Sequence, residues 1–274
     1  MCSLDGCGTY ADLPPIVVPD EKRRLFLQGL VGLPIAAVLA DPTLARAAAA
    51  GVEMVTIPTA GGRAVTLAVA LPAAGKGPAV VLIHEWWGLN DQIKSVAAEL
   101  AAQGYVAIAV DLYGKPAATT PEAATALMKA VDPAVATDQL VSTIAWARAH
   151  ARSTGKVGTI GWCFGGGWSL NASLATPVDA TVIYYGDVKK TADQVKSLSG
   201  PVLGQFGKLD AWINAEMVGG FEAAMKAAGK ADRLTVHWYD ADHAFANPTG
   251  ARYDAAPAAL AWQRTLAFFK TNLG

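Results

Sequence analysis

Cysteine is nearly missing from this chain: there are three in 274 residues, at positions 2, 7 and 163. The spacing of Cys2 and Cys7 does not suit a zinc knuckle, and no matching Cys or His pair follows, so no metal site is expected. No Cys-x-x-Cys occurs, and no second cysteine follows residue 47 to resolve an oxidised first one, which argues against a thiol-redox protein. Charge of one sign is missing as well. The 22 Lys and Arg against 23 Asp and Glu leave a formal charge of −1, with the signs well mixed. Nothing therefore favours nucleic acid or an anionic membrane surface. The apolar stretch at 29–40 falls short of the ~20 residues that a membrane-spanning helix needs. There is no internal repeat, no low-complexity linker beyond 47–50 and no sign of a second domain. Apolar residues are plentiful: 53% hydrophobic content at this length suits one soluble α/β domain with a large core.

The N-terminus reads as an address. Lys22-Arg23-Arg24-Leu25-Phe26-Leu27-Gln28 precedes the apolar stretch at 29–40, and Ala45-Arg46-Ala47 follows. A basic pair, a moderately hydrophobic segment and a small-x-small site make a secretory signal. The form Arg-Arg-x-Phe-Leu resembles the twin-arginine signal, which carries folded proteins across the bacterial inner membrane. An uncleaved anchor or an amphipathic N-terminal helix is the competing reading. Residues 1–47 are thus expected to be a leader, 48–274 a single mature domain, and the protein periplasmic or secreted, with the twin-arginine machinery as the precursor's partner. Cleavage would leave 18 residues of each sign and Cys163 as the one cysteine. A lone thiol in an oxidising compartment is a liability unless it is buried or used.

Beyond residue 50, β-branched runs alternate with alanine-rich stretches. Strands are expected at 53–57, 64–71, 79–83, 106–111, 157–162, 181–185, 202–206 and 234–239. Helices are expected at 91–103, 121–130, 134–151, 165–175, 214–228 and 255–272. The first two strands, separated by Thr59-Ala60-Gly61-Gly62, read as a hairpin. The rest follows the rhythm of a mostly parallel sheet of eight strands with helices on both faces. Ligands of such sheets sit outside the carboxyl ends of the strands.

Three of those ends carry the groups that nucleophilic catalysis needs. Gly161-Trp162-Cys163-Phe164-Gly165 lies between a strand and a helix, and its G-x-C-x-G spacing is that of a nucleophile elbow with sulfur at the apex. Asp210 follows the strand at 202–206, and His243 follows the one at 234–239. The order nucleophile, acid, histidine is the one used on the α/β-hydrolase sheet. The imidazole can hold a thiolate as an ion pair and later protonate the leaving group, while the carboxylate sets its tautomer. Asp187, Asp240 and Asp242 compete with Asp210, although the last two adjoin His243 and suit a turn or cap. His150 and His237, on a helix and a strand, read as structural.

A fourth strand end, Ile83-His84-Glu85-Trp86-Trp87-Gly88-Leu89-Asn90, lies where hydrolases of this architecture supply an oxyanion-hole N–H. The donors would be the amides of Trp86 and Phe164. Glu85 would lie close to Cys163 among Trp86, Trp87 and Trp162, and apolar surroundings should raise its pKa and make it a usable base. The plain alternative is a solvated loop glutamate.

Ile83-His84-Glu85-Trp86-Trp87-Gly88-Leu89, Asp111-Leu112-Tyr113, Gly161-Trp162-Cys163-Phe164-Gly165-Gly166 and His243-Ala244-Phe245 together resemble the dienelactone hydrolase family, from about residue 52 to 273. The resemblance implies an α/β-hydrolase fold, usually monomeric, with neither metal nor organic cofactor. It also implies a Cys163–Asp210–His243 triad and an acyl-cysteine intermediate, with Glu85 taking the thiol proton once substrate binds. The small-molecule substrate would be an ester or lactone; the family's named activity opens carboxymethylenebutenolide to maleylacetate. In the family the substrate carboxylate engages arginines, and there this chain departs. Lys115 follows Asp-Leu-Tyr after one glycine, and Asn247 stands where dienelactone-specific enzymes have an arginine. Lys keeps the charge without the bidentate fork, and Asn loses the charge. Arg252 is close enough in sequence to substitute. Tyr113, Lys115, Trp87, Asn247 and Arg252 are the expected substrate-binding residues. A carboxylesterase of unrelated preference, or a binding protein that kept the fold without catalysis, remains open.

Overall fold

The sequence Gly-Pro-Ala-Val-Val-Leu-Ile has no polar side chain, and the strand it forms, β3 (Gly77–Ile83), is buried on both faces. A strand without alternation belongs in the middle of a parallel sheet covered by helices. In this computed structural model, which describes residues 48–49 and 51–274, β3 lies between β4 (Val106–Asp111) and β5 (Ser153–Trp162), parallel to both. The leader read at 1–47, with Cys2 and Cys7, lies outside the described residues.

The sheet has eight strands. Its remaining members are β1 (Glu53–Pro58), β2 (Ala64–Ala70), β6 (Ala180–Tyr184), β7 (Val202–Gly207) and β8 (Leu234–Tyr239), and the order is β1-β2-β4-β3-β5-β6-β7-β8. β1 and β2 form the expected hairpin, closed by the Thr59 N–H on the Arg63 carbonyl at 2.7 Å, and β2 runs antiparallel to β4. All other pairs are parallel, so the carboxyl ends of β3 to β8 share one edge.

Helices cover both faces. On one side α1 (Asp91–Ala102) and α7 (Ala255–Leu273) bury Ile93, Val96, Leu100, Ala261, Trp262 and Phe269 against Val80, Leu82, Ile160 and Val182. On the other, α3 (Pro133–Ala149) packs Leu140 and Ile144 on Val81, Ile83 and Ile108, and α6 (Ala215–Ala227) packs Val218 and Phe221 on Ile183 and Phe206. α2 (Pro121–Lys129) lies outside the sheet with Ala124 against Trp86 and Trp87. α4 (Phe164–Ala175) is tied down by hydroxyls, since Ser169 donates to the Val182 carbonyl at 3.0 Å and Thr181 to Ser173 at 2.7 Å. Side chains of Asn90, Asp132 and Asn214 cap α1, α3 and α6, each cap being worth ~1 kcal/mol. Among the described residues, no helix is long and apolar enough to cross a membrane.

The elements follow the sequence reading with local differences. β5 starts at Ser153 rather than 157, because the chain pairs Ser153 with Gly77 across an irregularity in register. β6 ends at Tyr184, because Tyr185 turns into the left-handed region at φ 36°. The four-residue helix α5 (Ala192–Val195), held by a Thr191–Gln194 capping box, and a 3-10 turn at Ala231–Arg233 were not expected; both are too short to show periodicity.

Candidate active site

One residue separates β5 from α4, and it is Cys163. Its backbone sits at φ 54° and ψ −118°, a conformation costing ~1–3 kcal/mol for a residue with a Cβ. Surrounding hydrogen bonds hold it there: the Cys163 N–H donates to the Tyr184 carbonyl at 3.0 Å, and its own carbonyl accepts from Gly166 N–H at 3.0 Å. The flanking glycines are needed for space. A Cβ on Gly161 would run into the Gly165 carbonyl, and one on Gly165 into the carbonyl oxygens of Ile83 and His84. The elbow thus presses α4 against the end of β3 and leaves Cys163 half-buried against the core under α1 and α7.

The loops after β7 and β8 are stapled together. Lys208 N–H donates to the Tyr239 carbonyl at 2.8 Å and Leu209 N–H to that of Ala241 at 3.1 Å. This brings Asp210 Oδ2 to His243 Nδ1 at 2.6 Å. The other oxygen, Oδ1, accepts the N–H groups of Trp212 and Ile213 at 2.8 and 3.0 Å. Burial pushes the Asp210 pKa up, but the His243 bond and charge and the two amides outweigh it and hold the carboxyl below its ordinary value. With Asp210 ionised, Nδ1 is the donor and Nε2 is the basic nitrogen. The ring is held between Tyr185, 5.2 Å away, and the edge of Trp212, at 5.3 Å.

The three other candidate aspartates are engaged elsewhere. Asp240 pairs with Lys208, Asp242 accepts the His243 backbone N–H and pairs with Arg252, and Asp187 accepts Lys189 N–H. His150 ends α3 against Trp146, and His237 lies within β8.

The loop after β3 is organised by a residue to which the sequence reading gave no role. His84 is fully buried, and Nδ1 donates to the Glu85 carbonyl at 2.6 Å while Nε2 accepts Leu112 N–H at 3.3 Å. The two bonds require the neutral Nδ1–H tautomer, and burial lowers its pKa accordingly. His84 thereby splints the β3 loop to the β4 loop. Tyr113, on the latter, donates its hydroxyl to the Trp86 carbonyl at 3.0 Å. Burial and the nearby Cys163 both push the Tyr113 phenol up, so it stays a neutral donor. Trp86 and Trp87 are buried with rings 4.9 Å apart. Among the described residues, the amides of Trp86 and Phe164 have no protein acceptor.

Glu85 is 3% exposed. Its Oε2 accepts Asn247 Nδ2 at 2.5 Å and its Oε1 accepts the Tyr185 hydroxyl at 3.4 Å. Burial raises its pKa to about 7, against the opposing pull of the His243 charge and the two hydrogen bonds. Tyr185, expected only as the last residue of a strand, touches both Glu85 and His243; its place at the carboxyl end of β6 was the available signal.

Of the residues expected to bind substrate, Tyr113 and Trp87 lie in this cluster, and Asn247 is buried on Glu85. Arg252 Nε pairs with Asp242 at 3.1 Å and its guanidinium covers Trp212 at 5.2 Å, while Lys115 is exposed. Among the described residues, no group of three His, Cys, Asp or Glu is placed to hold a metal.

The model of the dienelactone hydrolase family matches residues 65–273. A carboxymethylenebutenolidase of Pseudomonas putida is 31% identical over 227 residues, covering 79% of this chain and 95% of that protein. Carboxymethylenebutenolidase 1 of Cupriavidus pinatubonensis is 28% identical over 205 residues, covering 71% and 86%. Among solved structures, a dienelactone hydrolase-like phosphotriesterase from metagenomic libraries superposes with a TM-score of 0.73 at 23% identity, covering 82% of this chain and all of that one, a likeness of fold.

Proposed function

The chain belongs to the dienelactone hydrolase family, and on that premise we propose that it hydrolyses an ester or lactone through an acyl group carried on Cys163. In this reading Glu85 takes the thiol proton and the thiolate attacks the carbonyl carbon. The carbonyl electron pair moves to oxygen, where the amides of Trp86 and Phe164 stabilise it. The tetrahedral adduct then collapses, breaking the bond to the leaving alkoxide, which His243 Nε2 protonates with the proton that Glu85 took from the thiol and hands on to it, so that Glu85 is ionised again. Water, deprotonated by the same nitrogen, attacks the thioester, frees the acid and returns the proton to sulfur. Asp210 keeps Nδ1 protonated and compensates the imidazolium.

A thiol with the ordinary pKa of about 8.5 is only a few per cent ionised at pH 7. A base beside it is therefore useful, and a Glu with a pKa of about 7 is matched to the task. The observation that carries the reading is the 2.6 Å His243–Asp210 bond at the strand edge whose elbow holds Cys163. A p-nitrophenyl ester mixed rapidly with the enzyme should give a burst, with an acyl mass increment on the Cys163 peptide. Cys163→Ala should lower turnover by at least ~10³-fold, the scale of losing a nucleophile. Unchanged turnover in that variant would refute the proposal.

The proposal places the activity in the periplasm or outside the cell, on the strength of Arg23-Arg24-Leu25-Phe26-Leu27 and Ala45-Arg46-Ala47. Cell fractionation should find a shortened chain outside the cytoplasm. Full-length protein confined to the cytoplasm would overturn this placement.

A further inference from the structure

Glu85 stands where a second negative charge is hardest to accommodate. Its hydrogen-bond partners, the Asn247 amide and the Tyr185 hydroxyl, are both neutral, and the charge of His243 that bears on it is already compensated by Asp210 at 2.6 Å. The amide is fixed in that orientation from behind: Asn247 Oδ1 accepts the Thr249 N–H at 2.9 Å and the Thr249 hydroxyl at 2.7 Å, which leaves Nδ2 to face the carboxylate. The nearest arginine in sequence, Arg252, is paired with Asp242 and laid over Trp212. Lys115 is exposed on the loop after β4. Trp86 and Trp87, which follow Glu85 in the chain, are buried in one cluster with Phe164 packed against it.

From this arrangement we infer that the site takes uncharged esters or lactones and turns away those whose acyl part carries a carboxylate, with Asn247 as the residue that sets the preference. The inference rests on the hydrolase reading above. Two carboxylates sharing a buried site cannot both stay ionised without a counter-charge. Glu85 could admit an anionic acyl group by taking a proton, but it would then have no capacity for the thiol proton. A neutral acyl group leaves Glu85 able to act. An arginine at 247 would change this balance, since a guanidinium can face two carboxylates at once.

The test is a matched pair, p-nitrophenyl hexanoate and p-nitrophenyl hydrogen adipate, each rate normalised to that ester's own hydroxide-catalysed hydrolysis. The native enzyme should favour the uncharged ester at least tenfold in kcat/KM, and Asn247→Arg should move the ratio towards the adipate by a similar factor. If both esters acylate Cys163 and the adipate reacts as fast or faster, the inference is overturned while the hydrolase reading stands. If neither ester acylates Cys163, the hydrolase reading falls and the inference with it. The native enzyme alone decides between these outcomes, so a poorly folding Asn247→Arg leaves the test intact.

Discussion

Asp210 and Glu85 are both carboxylates, both 3% exposed and both within reach of His243, yet their acidities move in opposite directions. Asp210 is held by an imidazole donor at 2.6 Å and two backbone amides, all pointing at its oxygens. Glu85 has an amide at 2.5 Å, a phenol at 3.4 Å and the pull of the His243 charge, and these do not outweigh its desolvation by burial. Burial alone therefore does not set the role of a carboxylate. The number and charge of its donors do: the first group is kept ionised as a fixed counter-charge, and the second is left near neutrality where it can exchange a proton.

Breaking the first side of this comparison should have the larger effect. Asp210→Asn keeps the shape but presents His243 with an amide, which favours the wrong tautomer, and kcat should fall by ~10²–10⁴-fold. A loss under tenfold in steady-state kinetics would remove Asp210 from its assigned role. On the second side, Glu85→Gln should slow acylation ~10²-fold, the low end for a general base, and abolish the rise of the acylation rate through pH 7. Stopped-flow acylation across pH 5.5–8.5 reads both effects, on the order of the rise expected from one titrating group.

The same variant has a stability signature whose sign follows from linkage. A carboxyl with a folded pKa raised from 4.5 to about 7 binds its proton more tightly in the folded state. The folded chain consequently loses stability as pH rises across that window, and the loss is complete above it. Glu85→Gln removes the loss, so its melting temperature relative to the native protein should be higher at pH 8 than at pH 5. An equal difference at both pH values would show that Glu85 does not titrate in this window. The smallest effect should come from Tyr185→Phe. The variant keeps the ring against His243 but deletes the long 3.4 Å bond to Glu85, and the acylation pH limb should move upward by less than one unit. A downward shift would mean that the hydroxyl stabilises the protonated form.

Much of this molecule could be read from residue order. The apolar run at 79–83 marked a strand, and its lack of alternation fits the central place, covered on both faces, that the structure gives it. Gly161 and Gly165 marked the elbow because no other residue leaves room for the Gly165 and Ile83 carbonyls. Four functional candidates at strand ends followed from the β-then-α rhythm, which sends every parallel strand to the same edge. The partners of those candidates were harder to read. Asn247 stood out in sequence as a missing positive charge, and in the structure it is the donor on Glu85, 162 positions away. Tyr185 drew no attention in sequence because a tyrosine at the end of a buried strand looks like core.

The sequence by itself determined the element order, the sheet's common edge and the position of the thiol at its apex. Each of these depends on local sterics and hydrophobic period, which act within a few residues. Only the tertiary structure decided which aspartate meets His243, that His84 joins two loops, and that two neutral donors hold Glu85. Those choices depend on distances between loops 28 to 162 residues apart, and the acidity of each carboxylate is a property of what those loops bring to it.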